Sequence, residues 1–375
     1  MDWQTHARML ASQVARPESR WHEPLATTPR HVFVPRWWDG ADGRWELRIG
    51  ASDSKAWMRA AYSDRTLVTR VGPVHADDAP PGAVREGMPT SSSTLPGLVI
   101  QMFRHAVIAD TSRVLVTTGS AYGTALACRR LGEQRVTSVD IDPGLVATAR
   151  QRLDALGLRP DVAVHDITGE LPGEYDRIIS TVSVRPVPTS WLSALRPGGR
   201  LVTTIAGTGL VLTADKTEDG GAVGRIAPDR AGFMRTRHGD DYDHTTQEVW
   251  DRAQRADGEQ VGASRYPLLY VPDSWDIMSM LELQVPGIVH RTRQDGERRT
   301  VWMLHPDGSW ARATTGGFLE PPTVHQSGPQ RLWDALERIR HRLNREGGLP
   351  AYGAHVTISP EGDTVLFRGD WEVTL

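Results

Sequence analysis

Several things are scarce in this 375-residue chain, and each scarcity removes a class of function. There is one cysteine, Cys128, so neither an intramolecular disulfide nor a cysteine zinc cluster can form. A basic surplus is missing. Lys and Arg number 43 against 46 Asp and Glu, giving a formal net charge of -3 and a pI of about 6.5. Nucleic-acid-binding domains usually carry a positive excess, so no nucleic-acid partner is expected. No apolar run approaches the ~18–20 residues of a membrane span. The first residues, Met1-Asp2-Trp3-Gln4-Thr5-His6, lack the basic-then-apolar layout of a secretion signal. A cytoplasmic protein without a membrane partner is the expectation. No solenoid period and no long low-complexity tract is visible. Phe (5) and Tyr (7) are few beside Trp (13), an order that suggests aromatic surfaces built for packing or for a ligand. What remains is an ordinary globular composition, 39% hydrophobic and 24% charged, long enough for two or three domains.

Texture divides the chain into an N-terminal segment (1–85), a core (86–213), a polar Gly-rich loop (214–239) and a C-terminal α+β domain (240–375). The core is the most regular part. Val114-Leu115-Val116 reads as a buried strand, Ala121 to Leu131 as a helix, and Arg135 to Asp140 as a second strand. Asp142 is placed to cap a helix that opens on Pro143 and shows Leu145, Ala149, Leu153 and Leu156 on one face. Asp161–His165 and Asp176–Val182 read as further strands, Trp191–Leu195 as a short helix, and Arg200–Ile205 as a strand after the turn Pro197-Gly198-Gly199. Strands and helices alternating at this spacing predict an α/β fold with a mostly parallel sheet covered on both faces.

The first strand runs into Thr117-Thr118-Gly119-Ser120-Ala121-Tyr122-Gly123. A glycine there lets the backbone approach a ligand, and the following helix offers free N–H groups. Asp140 ends the next strand 21 residues after Gly119, near the offset at which a carboxylate receives ribose hydroxyls. Asp166 follows the third strand. Ligands of open parallel sheets sit at the carboxyl ends of the strands, so Gly119, Asp140 and Asp166 converge on one adenosine-sized site. Tyr122 has two readings, a stacking platform or core packing. His105 reads as structural, His165 as a neighbour of the site, and Cys128 as buried packing.

These residues resemble the protein L-isoaspartate O-methyltransferase family over about residues 25–205. The resemblance rests on Ser120-Ala121-Tyr122, Val136-Thr137-Ser138-Val139-Asp140-Ile141-Asp142-Pro143, Tyr175-Asp176-Arg177-Ile178-Ile179-Ser180-Thr181, and Leu195-Arg196-Pro197-Gly198-Gly199-Arg200. Upstream, Pro29-Arg30-His31-Val32-Phe33-Val34-Pro35 and Ala61-Tyr62-Ser63-Asp64 are also similar. The resemblance implies a Rossmann-like, S-adenosylmethionine-dependent methyltransferase core. It implies that Gly119, Ser120, Ala121 and Tyr122 hold S-adenosylmethionine, Asp140 with Ile141 its ribose, Asp166 with Ile167 its adenine, and that Thr181 is a further contact. The chain departs from the family at the first motif. The acidic position falls on Val116 or Thr117, a first glycine is Thr118 or absent, and a third becomes Ala121. That removes a carboxylate from the site of the cofactor's ammonium group.

Thr90-Ser91-Ser92-Ser93-Thr94 precedes Leu95-Pro96 and an apolar helix. One hydroxyl suffices for a helix cap, and this run has five. In the resembled family the matching Ser/Thr-x-Pro element holds the substrate carboxylate, which implies Thr94 as the catalytic hydroxyl with Ser93 and Ser92 beside it. No metal-spaced His cluster or Ser/His/Asp signature stands out, as suits a carboxylate that is already ionised and needs only alignment. Downstream, Leu332, Trp333, Leu336, Ile339 and Leu343 share a helix face, and Val356–Ile358 with Val365–Phe367 form a hairpin. With the hydroxyl run, this region resembles methyltransferases that accompany ATP-grasp enzymes in ribosomal peptide (graspetide) maturation. That branch implies methylation of an aspartate in a macrocyclised peptide, the ester then closing to an aspartimide. General isoaspartate repair and a non-catalytic peptide-binding scaffold are the competing readings.

Overall fold

The structure is a computed structural model describing residues 2–41, 43–236, 247–317 and 320–375. An N-terminal antiparallel sheet holds β1 (Arg36–Ala41), β2 (Arg44–Ile49), β3 (Leu67–Val71), β4 (Val74–His75), β5 (Val84–Glu86) and β6 (Pro89–Ser93), with β6 paired to β3. The central sheet begins with β7 (Val114–Thr117), β8 (Val136–Asp140), β9 (Asp161–Val164), β10 (Tyr175–Val184), β11 (Leu195–Ile205), β12 (Leu210–Lys216) and β13 (Ala222–Arg230). A third, antiparallel sheet contains β14 (Gln260–Ala263), β15 (Val289–Asp295), β16 (Arg298–Leu304), β17 (Trp310–Thr315) and β18 (Thr323–Ser327). The chain then returns to the central sheet as β19 (His355–Ile358), β20 (Thr364–Arg368) and β21 (Trp371–Thr374).

The central sheet has ten strands in the order β21-β20-β19-β13-β12-β11-β10-β7-β8-β9. Strands β11, β10, β7, β8 and β9 are parallel and the others antiparallel. The α/β expectation therefore holds for the core. Val114, Leu115 and Val116 are all buried, as a strand covered on both faces requires. Strand order reverses between β7 and β10: β8 and β9 lie to one side of β7, and β10 and β11 to the other. This is the topological switch point, where the flanking loops diverge and leave a crevice at the carboxyl ends of the strands.

Within the stretch 214–239, expected to be a loop, most of residues 214–230 are strand, and 237–239 lie outside the described residues. Ala214, Asp215 and Lys216 complete β12, and Ala222–Arg230 forms β13. The turn around Gly220 (φ +90°) and the irregular residues 231–236 have the character that the composition suggests. The expected boundary between 239 and 240 lies outside the described residues. The C-terminal region is also less separate than its texture implies. Strands β19–β21 extend the central sheet, and one continuous apolar core joins Leu115, Ile178 and Leu201 to Met280, Val301, Trp333 and Leu366. Helix Leu332–Glu346 buries Leu332, Trp333, Leu336 and Ile339 in that core, each worth about 1.5–3 kcal/mol when fully covered. Leu343 packs at its edge.

Candidate functional site

A cavity of about 480 Å³ opens at the switch point. Its floor is the turn after β7. Gly119 has φ +47°, and a Cβ there would meet Ser92 O at 3.4 Å. Asp140, ending β8, orders this turn: one carboxylate oxygen accepts from Gly119 N–H (3.1 Å) and the other from Asp142 N–H (3.1 Å). Beneath it lies a buried hydroxyl triad in which Ser138 Oγ sits 2.7 Å from Thr118 Oγ1 and 2.9 Å from Thr124 Oγ1. Thr118 thus fills its position with a specific packing role. Ala121, where the family pattern has glycine, is buried in the left-handed region at φ +69°. A non-glycine residue there costs about 1–2 kcal/mol of backbone strain.

The cavity is lined by Gly119, Asp140, Ile141, Asp166, Ile167 and Thr181, all expected from the sequence. Asp166 makes a tight turn, its Oδ1 accepting from Thr168 N–H (2.8 Å) and Thr168 Oγ1 (2.7 Å). Asp142 caps helix Pro143–Asp154 through Gly144 and Leu145 N–H, as its position predicts. It also pairs with Arg70 at 2.5 Å. At the end of β7, Thr117 Oγ1 lies 2.6 Å from Thr181 Oγ1 and accepts from Thr181 N–H at 2.8 Å. A hydroxyl pair from adjacent strands therefore occupies the switch point, with no acidic side chain on the first strand.

Ser120 and Tyr122 line only a narrow recess of about 40 Å³ beneath the turn. Tyr122 resolves its two readings in favour of the core. Its ring is 2% exposed, 5.9 Å from Phe33, and lies under the Arg30 guanidinium at 5.5 Å. Ala121 is fully buried and lines neither space. Of the four turn residues expected to hold the cofactor, Gly119 alone lines the main cavity, and Ser120, Ala121 and Tyr122 do not.

The hydroxyl run also differs from expectation. Thr90 to Ser93 are not a loop or a cap but part of strand β6, and Thr94 directly follows it. Thr90, Ser91, Ser92 and Thr94 all line the cavity. Ser93 points to the other side, 1% exposed, and its Oγ has no partner among the described residues. Ser91 Oγ accepts from Thr69 Oγ1 (3.1 Å), and Thr90 Oγ1 donates to Gly72 O (2.6 Å). The carry-over of a role to Ser93 therefore fails on direction. Helix Pro96–His105 is capped from elsewhere: Asp64 Oδ1 accepts from Gly97 N–H at 2.7 Å.

The strand's position is fixed by Arg30, the arginine of the Pro-Arg-x-x-Phe-Val-Pro element. Its buried guanidinium donates to the carbonyls of Ala61 (3.1 Å), Ser63 (2.8 Å), Arg65 (2.9 Å), Ser93 (3.2 Å) and Thr94 (3.2 Å). Burial brings its pKa down to about 10. One side chain thus ties the Asp64 loop to the end of β6 and sets where Thr94 stands.

Sequence reasoning missed the wall formed by Gly232, Phe233, Met234, Arg235 and Thr236, and missed Arg70 and Leu98. Arg235 Nη2 donates to Glu282 Oε1 at 2.7 Å, and that oxygen also accepts from Gly287 N–H at 2.9 Å. Burial pushes the Glu282 carboxyl above its ordinary value, and Arg235 opposes the shift. No local motif could have marked the 232–236 wall, because it is held at the cavity by β10, Ser183 N–H donating to Met234 O and Thr236 N–H to Ser183 O. His165 lines the cavity, while His105 stands 2.8 Å from Asp229, away from it. Cys128 is buried as expected. Among the described residues no group of His, Cys, Asp and Glu could hold a metal ion. No described helix is long and apolar enough to cross a membrane.

The family described as protein-L-isoaspartate(D-aspartate) O-methyltransferase (PCMT) matches residues 74–227. The protein-L-isoaspartate O-methyltransferase of Anaeromyxobacter dehalogenans (strain 2CP-1) is 44% identical over 96 residues, 24% of this chain and 44% of that protein. The one from Roseiflexus castenholzii is 28% identical over 216 residues, 55% of this chain and 80% of that protein. The chain spans about half the length of the curated relatives that it matches best in identity. A solved structure described as a protein-L-isoaspartate O-methyltransferase shares the fold over 98% of this chain and 99% of its own, with TM-score 0.52 and 16% identity. Residues 74–227 are therefore similar in sequence to the PCMT family, and the chain carries a Rossmann-like methyltransferase fold of that kind with further sheets around it.

Proposed function

We propose that this chain is an S-adenosylmethionine-dependent carboxyl O-methyltransferase acting on a peptide or protein. The observation that carries the proposal is the convergence on one cavity of Gly119, Asp140 and Asp166 with the Ser92 and Thr94 hydroxyls. The residues present fit the cofactor. A glycine with φ +47° allows close approach, and carboxylates stand at the ends of two successive parallel strands. Asp140 would receive the ribose hydroxyls and Asp166 the adenine side. Each carboxylate oxygen can accept more than one donor, so Asp140 can do this while holding its turn. Thr117 and Thr181 would meet the amino-acid end in place of a first-strand acid.

S-adenosylmethionine supplies a methyl group on a sulfonium. A carboxylate oxygen of the substrate bonds to that carbon as the carbon–sulfur bond breaks, its electron pair remaining on sulfur. The chain's task is alignment. Thr94 donates to the substrate oxygen that does not react, with Ser92 alongside, and so aims the other oxygen. No general base is needed, because the nucleophile is already ionised at neutral pH.

The finer reading is an aspartyl side chain of a ribosomally made, macrocyclised peptide. There the next backbone nitrogen attacks the ester carbonyl, methanol leaves with the amide proton, and an aspartimide ring closes. This rests on the resemblance of the hydroxyl run and C-terminal region to the graspetide-associated branch. General isoaspartate repair is supported by a separate observation, the whole-length fold shared with a chain described as a protein-L-isoaspartate O-methyltransferase. The C-terminal region alone does not separate the two.

The test offers tritiated S-adenosylmethionine to matched peptides bearing isoaspartate, linear aspartate, or aspartate in a macrocycle. Transfer to carboxylate yields label released as volatile methanol in mild base. Label stable to base contradicts carboxyl transfer. A preference for isoaspartate contradicts the macrocycle reading, and a preference for the macrocycle contradicts repair.

A further inference from the structure

The third sheet carries a second concavity that the methyl-transfer site does not use. One face of this sheet is apolar: Val301, Met303, Ala311, Ala313 and Val324 pack into the main core. The opposite face is polar. Cross-strand pairing places Arg293, Thr300, Thr314 and Thr323 in one row, and Arg291, Trp302, Arg312 and His325 in the next. Helix Gln247–Ala253 covers one end of this face through Val249, Ala253, Trp302, Leu304 and Trp310. The remainder is an open concavity of about 950 Å³.

Four arginines, Arg255, Arg293, Arg298 and Arg312, line that space with His325, against two acids, Asp295 and Glu297. Among the described residues, no carboxylate lies within ion-pair distance of any of the four. Two of them, Arg293 and Arg312, are oriented by other means. Arg312 Nη1 donates to Ala253 O at 3.0 Å, and Arg293 Nη2 to Gln254 Oε1 at 3.4 Å. The Arg293 guanidinium stands 5.4 Å from the Trp302 ring. Partial burial lowers the Arg312 pKa, Arg298 adds to that effect, and nearby Asp257 opposes it. A solvated sheet face ordinarily mixes both signs and leaves its long cations mobile. Here Arg293 and Arg312 are held by carbonyl, amide and aromatic groups, which leaves guanidinium N–H donors for an external anion.

Chain geometry links this face to the methyl-transfer cavity. Thr236 lines that cavity, and Gln247, eleven residues on, opens the helix that flanks the arginine face. At most about 40 Å of chain separates those two residues. We infer that the arginine face of the third sheet binds an acidic, extended segment of the peptide substrate whose target carboxylate occupies the Thr94 cavity. The inference rests on the proposed function for the identity of that substrate. The arginines would pair with Asp or Glu side chains, and the Thr300–Thr314 row, whose hydroxyls are 3.1 Å apart, would meet the backbone.

The experiment measures binding, not methylation. A fluorescein-labelled twelve-residue peptide of alternating Glu and Ser is titrated with the full-length protein by anisotropy. Its Gln/Ser counterpart is the neutral probe. Inorganic phosphate and a single-stranded RNA decamer are the competitors. Arg255→Gln/Arg298→Gln is the test variant, because neither side chain makes a hydrogen bond among the described residues. Arg16→Gln/Arg129→Gln, exposed elsewhere, removes the same charge. The expected result is binding of the Glu peptide, about tenfold weaker for the neutral peptide and for the test variant, and changed less than twofold in the charge control. Equal binding of both peptides, equal loss in the control, or no binding of the Glu peptide overturns the inference. Stronger competition by RNA or phosphate than by unlabelled Glu peptide overturns it in favour of another anion. Calorimetric titration of the same samples with S-adenosylmethionine keeps the two proposals apart. A protein that binds the peptide but no cofactor refutes the proposed function and leaves the arginine face standing.

Discussion

At the residue scale, direction matters more than residue type. Thr90 to Thr94 are five hydroxyls in a row, so composition alone cannot rank them. Position in the fold does: Ser93 alone turns to the interior, and of the four that line the cavity Thr90 is engaged with Gly72 O and Ser91 with Thr69. Thr94→Val should slow single-turnover methylation at saturating cofactor by ~10²–10³, the usual cost of losing a charge-stabilising donor. Ser93→Ala should methylate at the unaltered rate, since its Oγ is buried and makes no hydrogen bond among the described residues. A slow Ser93→Ala enzyme with a native melting temperature would contradict this assignment. Cys128 offers a second check. Burial raises its thiol pKa to about 12. Because the chain has no other cysteine, native protein at pH 8 should react negligibly with a thiol reagent, and unfolded protein should release one equivalent quickly. Rapid reaction of the folded protein would show that the helix carrying Cys128 is open.

At the element scale, the βα units were legible because their signals are local. An apolar triplet, a glycine turn and a capped helix follow one another within about thirty residues, and Asp140 and Asp142 each declare their place. The polar strands were not legible. β12 ends in Asp215 and Lys216 and β13 starts just after Gly220 and Gly221, which reads as loop, yet the pairing of Thr213 with Arg225 and Ala214 with Gly224 makes a ladder. The wall from Gly232 to Thr236 was missed for the same reason: no periodic pattern announces a segment shaped by its neighbours. Arg30 is the intermediate case, recognisable by resemblance but explicable only in space. Replacing it with Met would leave five carbonyls without their donor and should cost ~3 kcal/mol or more, lowering the melting temperature by roughly 5–10 °C. Arg30→Met should also slow methylation in whatever fraction stays folded, because Thr94 loses its anchor. Full activity with full stability would show that β6 is held by pairing with β3 alone.

At the scale of the whole molecule, the C-terminal third belongs to the same body as the parallel sheet rather than to an appended module. β13 pairs with β19 from Ala222 through Arg225, and the core runs without a break into the third sheet. Chain texture could not reveal this, because strand pairing over more than one hundred residues leaves no mark on either segment alone. Truncation after Arg230 should therefore give insoluble or molten protein, shown by lost cooperativity in thermal unfolding. A soluble truncated chain with a sharp transition would restore the picture of separable domains. The central claim concerns the other end of the sheet: that the crevice between β7 and β10 holds S-adenosylmethionine through Asp140. Calorimetric titration with S-adenosylhomocysteine tests it most directly. The account predicts one site per chain, and affinity at least tenfold weaker in Asp140→Ala, in line with the ~1.5–3 kcal/mol of hydrogen bonds to a charged group. Equal affinity in the two proteins, or no heat from the unaltered one, would contradict it.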